Sequence, residues 1–187
     1  QRNVYIALLA AQATVISLIE GMLPNFLAFA PGAKIGLPNI VTMVAIFSLS
    51  YKDSFKVVTM RLLLTTLLGG TLSTFMYSFA GSYLSYFGML LVRFLGPKRV
   101  SFIGISATGG ILFNVGQLVV ASLIARSFTV MLSLPACSFL GVLAGSVVGI
   151  VGNFMMKNIA TIKKMQSEEA KNSKLSRQWY EATLERK

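Results

Sequence analysis

A handful of polar side chains stand in or beside long apolar runs of this chain, and their types limit the chemistry open to it. Arg61 interrupts the stretch VVTMRLLLTTLLGG, residues 57–70. A guanidinium keeps its proton and offers five N–H donors in a planar fork, so it must reach either water or a partner. If its helix starts near Ser54, Arg61 lies roughly 10 Å along it, within snorkelling distance of the headgroups. The other reading is a fixed positive charge facing a ligand or a neighbouring helix's carbonyls. Asn114 and Gln117 are three apart and share one helix face, where they either tie helices together or line a site. Asn39, beside Pro38, is a candidate helix cap or a ligand group. Lys34 precedes it in a loop, and Tyr77 and Tyr83 suit a membrane-interface belt as well as a site. Lys34, Asn39, Arg61, Tyr77, Asn114 and Gln117 form the candidate substrate-binding set. A charge, amides and an aromatic suit a small anionic or amphipathic molecule with a flat or apolar part.

Catalytic chemistry has few other tools here. There is no His and one Cys, Cys137, so no Ser–His or Cys–His couple, no disulfide and no zinc or iron ligand set follows from the sequence. Asp53 is the single aspartate, in the basic turn Tyr51-Lys52-Asp53, so paired carboxylates for acid–base work or for magnesium are missing from the apolar runs. No GxxxxGK[ST] phosphate loop occurs. The expectation is a protein that is not an enzyme and carries no metal or cofactor.

The elements that must hold these side chains belong to a membrane. Of 187 residues 55% are hydrophobic and 12% charged, about half the charge a soluble surface needs, and the mean hydropathy is +0.71. Apolar runs cover residues 4–19, 35–49, 55–71, 75–95, 102–125 and 130–156. None alternates as a barrel strand would, and backbone in lipid must bond internally, so each is expected to be a helix. The fold class expected is an all-α membrane protein, a single bundle of about six transmembrane helices over residues 1–157. The chain begins at Gln1 without a Met, so first residues or a short leader are expected upstream; the first run lacks a small-residue cleavage site and reads as a span rather than a signal peptide.

The formal net charge of +11 does not point to nucleic acid, because the basic residues form no stripe with interleaved aromatics. They fall between the runs. Arg2, Lys52, Lys56, Arg93, Lys98, Arg99 and the eight basic residues from Lys157 onward share one side if the span number is even; Lys34 and Arg126 hold the other. Basic loops stay in the cytoplasm, which puts both termini inside a bacterial plasma membrane. Residues 158–187 mix these cations with Glu168, Glu169, Glu181 and Glu185 and read as a charged cytoplasmic tail or helix. Solvation as a helix or frayed tail is the plain expectation; Leu175 and Trp179, four apart, make one weak amphipathic face, and the alternative is a docking surface for lipid headgroups or a partner protein. Gly141, Gly145 and Gly149 repeat every four residues, as Ala7 and Ala11 do, and both stripes allow close helix approach.

Four ordered motifs carry a resemblance: PGAKIGLPNIVTMVAIF (residues 31–47), RLLLTTLLGGT (61–71), YSFAGSYLS (77–85) and GGILFNVGQLVVA (109–121). Over residues 4–158 the chain resembles the Gx transporter family, labelled heptaprenyl diphosphate synthase component I and similar to substrate-binding S components of energy-coupling factor (ECF) transporters. The resemblance implies a six-helix, ECF S-component-like bundle that captures a small molecule under the loop at residues 20–34. It also implies that Ala7 and Ala11 meet a transmembrane coupling subunit powered by two ATPases. The rival implication is a non-catalytic membrane accessory of isoprenoid or quinone metabolism or of extracellular electron transfer. The synthase label sits poorly with one aspartate, since prenyl diphosphate synthases use Asp-rich magnesium motifs. One departure is Phe113, where the pattern places His before Asn-x-x-Gln.

Overall fold

The computed structural model describes residues 2–22 and 35–185, and every regular element in them is helical. In order these are α1 (Arg2–Met22), α2 (Asn39–Ser48), α3 (Tyr51–Gly69), α4 (Leu72–Arg93), α5 (Phe102–Ala125), a 3-10 turn (Phe128–Ser133), α6 (Leu134–Asn158), α7 (Ala160–Asn172) and α8 (Lys174–Glu185). Local chemistry sets many of the ends. Thr71 and Thr74 form a reciprocal capping box at the start of α4, with N···O distances of 3.2 and 2.8 Å. Ser101 accepts the Gly104 N–H at 3.1 Å to open α5. Pro135 lies in the first turn of α6, where its missing donor costs least.

Among the described residues four helices are long and apolar enough to cross a bilayer: α1, α4, α5 and the 3-10 turn running into α6. The six expected spans are therefore not equivalent. The 19-residue α3 is long enough but carries Lys52, Asp53, Lys56 and Arg61. The run at residues 35–49 yields only the 10-residue α2, about 15 Å long and half a bilayer core. Pro38 and the left-handed Gly36 (φ 96°) start that helix late. The exterior is apolar, with Leu67, Leu72, Leu123, Leu132 and Phe128 all more than two-thirds exposed. That is a surface for lipid, not for water.

Small residues bring α5 and α6 close together. A Cβ at Gly141 would lie 2.7 Å from the Gly110 carbonyl oxygen, and one at Gly149 would lie 2.7 Å from Ile103 Cα, so neither position admits a side chain. The glycine stripe thus serves packing within the bundle.

The two ends of the bundle differ in charge. Arg2 pairs with Asp53 at 2.6 Å and approaches Glu169 of α7 at 3.6 Å, so the starts of α1 and α3 share one end with the C-terminal helices. Arg93 joins them from the end of α4. It is buried; it donates to the Ile46 carbonyl at 2.7 Å and to the Ser176 hydroxyl at 2.9 Å, and lies 5.0 Å from the Phe47 ring centre. Its guanidinium stands where the last turn of α2 leaves carbonyls unbonded and partly negative. Trp179 of α8 donates back to the Arg93 carbonyl at 3.2 Å and packs on Phe47 and Phe102 with ring centres 5.1 Å from each. The C-terminal segment is therefore docked through Trp179 and Leu175 into the main core, in place of the solvated tail expected. A weak amphipathic face sufficed because its apolar partners sit on other helices.

Candidate functional site

Arg61 points into the bundle. Its side chain is 3% exposed, and Nη1 donates to Thr42 Oγ1 of α2 at 3.4 Å while Nη2 donates to Ser82 Oγ of α4. Both acceptors are neutral hydroxyls from helices on either side of α3. The guanidinium shares a small cavity with Ser17 and Glu20 of α1, Thr65 and Thr66 of α3, Thr74, Phe75 and Ser78 of α4, Pro38 and Phe113. The open space is about 10 Å³, room for one water. Thr65 Oγ1 has no hydrogen-bond partner among the described residues although Thr65 is 9% exposed. Arg61 is packed among the helices, and its neighbours are buried hydroxyls and a carboxylate.

Glu20 is the residue that sequence reasoning missed as a site group. Its side chain is buried, Oε1 accepts the Gly36 N–H at 2.5 Å and the Leu37 N–H at 3.2 Å, and its charge acts on Arg61 across the cavity. A signal was available. Glu20 is the single acidic residue outside the Lys52–Lys56 turn and the C-terminal segment, and a buried arginine needs a counter-charge. Gly36 is required here, since its φ of 96° favours glycine and a Cβ would meet the Phe113 ring at 3.0 Å. Phe113, standing where His was expected, is thus an apolar wall of the cavity beneath the residues that lead into α2.

The remaining candidates separate. Asn39 opens α2 but does not cap it: Pro38 takes the cap position, no side-chain cap bond forms, and both amide atoms of Asn39 are buried without a partner among the described residues. Its amide lies beside Gly36 and Phe113 at the edge of the Arg61 cluster. Asn114 donates to the Cys137 carbonyl at 2.8 Å and so ties α5 to α6. Gln117 is buried on the same helix. Tyr77 packs with Val120 and Ala121 between α4 and α5 and does not line the cavity. Lys34 lies outside the described residues. Ala7 and Ala11 are exposed on the outer face of α1, while Ala10 and Ala13 are buried. Thr42, Thr65 and Ser82 had no sequence signal, because hydroxyls are common in such runs and only the fold brings Thr42 and Ser82 to Arg61 and Thr65 into the cavity wall.

Arg61 and Glu20 bring opposite charges to one buried cavity lined by hydroxyls. Such a cluster can orient a small polar group by charge-assisted hydrogen bonds. Among the described residues no three His, Cys, Asp or Glu side chains come together as a metal site. No curated protein and no solved structure matches the chain. A family pattern described as heptaprenyl diphosphate synthase component I matches residues 9–155, which hold α1 to α6 almost entirely and every member of the Arg61 cluster. This all-helical membrane protein belongs to the heptaprenyl diphosphate synthase component I family.

Proposed function

We propose that the protein is a non-catalytic, substrate-binding membrane subunit that captures a small anionic or amphipathic molecule at the Arg61 cluster, as an S component of an ECF-type transporter does. The observation that carries this reading is Arg61 itself: a buried guanidinium bonded to two neutral hydroxyls, beside a Thr65 hydroxyl with no partner among the described residues. Purely structural charges in a membrane bundle are costly, and those found inside usually serve a pathway or a ligand. The start of the half-length α2 adds a positive dipole end at the same depth, an arrangement that suits anionic groups. A cavity of about 10 Å³ admits no such molecule unless residues 35–38 shift, so capture involves movement of that segment. Ala7 and Ala11, exposed on α1, offer a flat face for a transmembrane coupling subunit with its two ATPases. The molecule enters from outside in this reading, with both termini in the cytoplasm. Lys34, Asn39 and Gln117 stay in the proposed binding set; Tyr77 and Asn114 act there through packing.

The family description favours a second reading, a membrane subunit of heptaprenyl diphosphate synthesis acting with a component II or otherwise serving isoprenoid or quinone metabolism. Gentle purification followed by mass spectrometry of any co-purified small molecule tests the first. A molecule retained by the native protein and lost from Arg61→Gln supports capture at this cluster. A protein that is empty in every preparation, and is recovered instead with a soluble prenyl-transferring partner, would favour the second.

A further inference from the structure

Glu20 does more than balance Arg61. Its Oε1 receives two successive backbone N–H groups, Gly36 at 2.5 Å and Leu37 at 3.2 Å, immediately before α2. Pro38 has no N–H, and the next donor, Asn39 N–H, is already bonded to the Gly36 carbonyl at 3.0 Å. The two amides are thus free of the helix and converge on one oxygen, with the Gly36 φ of 96° turning the chain into an anion-holding concavity. Arg61 lines the same small cavity as that carboxylate. Independent of this hydrogen bonding, Thr65 presents in the cavity wall a hydroxyl that is nine-tenths buried and has no partner among the described residues.

We infer that the Gly36 and Leu37 amides, the start of α2 and Arg61 form a carboxylate site, which Glu20 fills and which the carboxylate of a captured molecule takes by displacing it. The inference rests on the capture reading above and names its ligand class: a small carboxylic acid with a hydroxyl, amide or similar group next to the carboxylate, bonded by Thr65. Glu20 is then an internal competitor that keeps the entrance segment drawn down onto the cavity. One guanidinium cannot serve two carboxylates at low cost, so the ligand's arrival releases Glu20, and with it residues 36 and 37. Glu20 sits in the last turn of α1, and Gly21 beside it has open space around its Cβ position.

The test uses the full chain in detergent or nanodiscs, with acetate as the carboxylate probe and acetamide as its neutral counterpart at matched ionic strength. E20A should melt below the wild type, and acetate should restore roughly half or more of that loss by occupying the emptied site. Acetamide should restore none, the wild type should not respond to either, and adding Arg61→Gln to E20A should abolish the rescue. Equal responses to acetate and acetamide, or none, would overturn the inference. If E20A is recovered folded only when acetate is present throughout purification, the site is upheld; if it is recovered neither with nor without acetate, the site does not accept a free carboxylate and the inference fails. A co-purified molecule that lacks a carboxylate, yet is released by Arg61→Gln, would leave the capture reading standing and overturn this one. Acetate-specific rescue in a protein from which nothing co-purifies would uphold the carboxylate site while the capture reading fails.

Discussion

A guanidinium at mid-bundle costs about 3 kcal/mol on insertion scales, and more where it cannot reach water. Arg61 recovers part of that from Thr42 and Ser82 and from the charge of Glu20. These partners set how substitutions should behave. Arg61→Gln keeps hydrogen bonding and loses the charge, so the affinity for an anionic ligand should fall by about 2 kcal/mol or more. Arg61→Lys keeps the charge but loses the planar fork, and its loss should be smaller. Arg61→Leu alone leaves Glu20 buried without its counter-charge and should unfold more easily than the wild type. The double variant Arg61→Leu with Glu20→Leu removes both charges, and it should regain stability to the wild-type level or above, although it cannot bind. Unfolding midpoints of the wild type and the four variants, taken with ligand titrations, separate the roles. Unchanged binding in Arg61→Gln would leave Arg61 as a purely structural residue.

Among the elements, α2 is the hinge between the cluster and the C-terminal segment. Its start is held by Glu20 through Gly36 and Leu37, and its last turn is held by Arg93 and packed on Trp179 through Phe47. Trp179→Ala removes a ring that is 2% exposed and should cost about 3 to 5 kcal/mol. The expected signature is local: α8 becomes sensitive to a protease added to detergent-solubilised protein, while residues 2–158 remain resistant. Cleavage spread evenly over the chain would show instead that α8 folds as one unit with the bundle. On the outer face of α1, replacing Ala7 and Ala11 with Leu should leave folding and ligand retention intact and abolish co-purification with a coupling subunit. Retained co-purification would place that contact elsewhere.

Helix bounds were legible where the signal was local. Residues 102–125 were readable as α5 to the residue, because Ser101 caps it and apolar residues fill it. The length of α2 was not, since whether Gly36 takes a left-handed φ is settled by its contacts with Glu20 and Phe113 and not by its neighbours in sequence. Docking of α8 was hidden for a similar reason: its composition is that of a solvated helix, and Trp179 finds its partners on α2 and α5. Of the candidate site, Arg61 was visible as an anomaly of composition, and Glu20 was visible too once a partner for Arg61 is demanded. The hydroxyls were not, because only the fold distinguishes them from the rest.

For the whole molecule, the separation of charge between the two ends has consequences for orientation. Arg2, Asp53, Arg93, α7 and α8 meet at one end, and the pairs Arg2–Asp53 and Arg93–Ser176 hold them there. Lys52, Lys98 and Arg99 lie at the same end on exposed positions, while Arg126 closes α5 at the other. Retention of basic loops in the cytoplasm predicts an orientation with α7 and α8 inside. Single cysteines in a Cys137→Ser background test this directly, because Cys137 is the single native thiol. Lys52→Cys and Lys98→Cys should resist a membrane-impermeant maleimide in intact cells and label once the cells are opened. Arg126→Cys, exposed at the end of α5, should label in intact cells. Labelling of Lys52→Cys or Lys98→Cys from outside would invert the molecule. It would turn the Glu20–Gly36 side of the Arg61 cluster toward the cytoplasm, and the cluster would then serve a molecule made inside the cell, as the synthase-subunit reading requires, and not one captured from the medium.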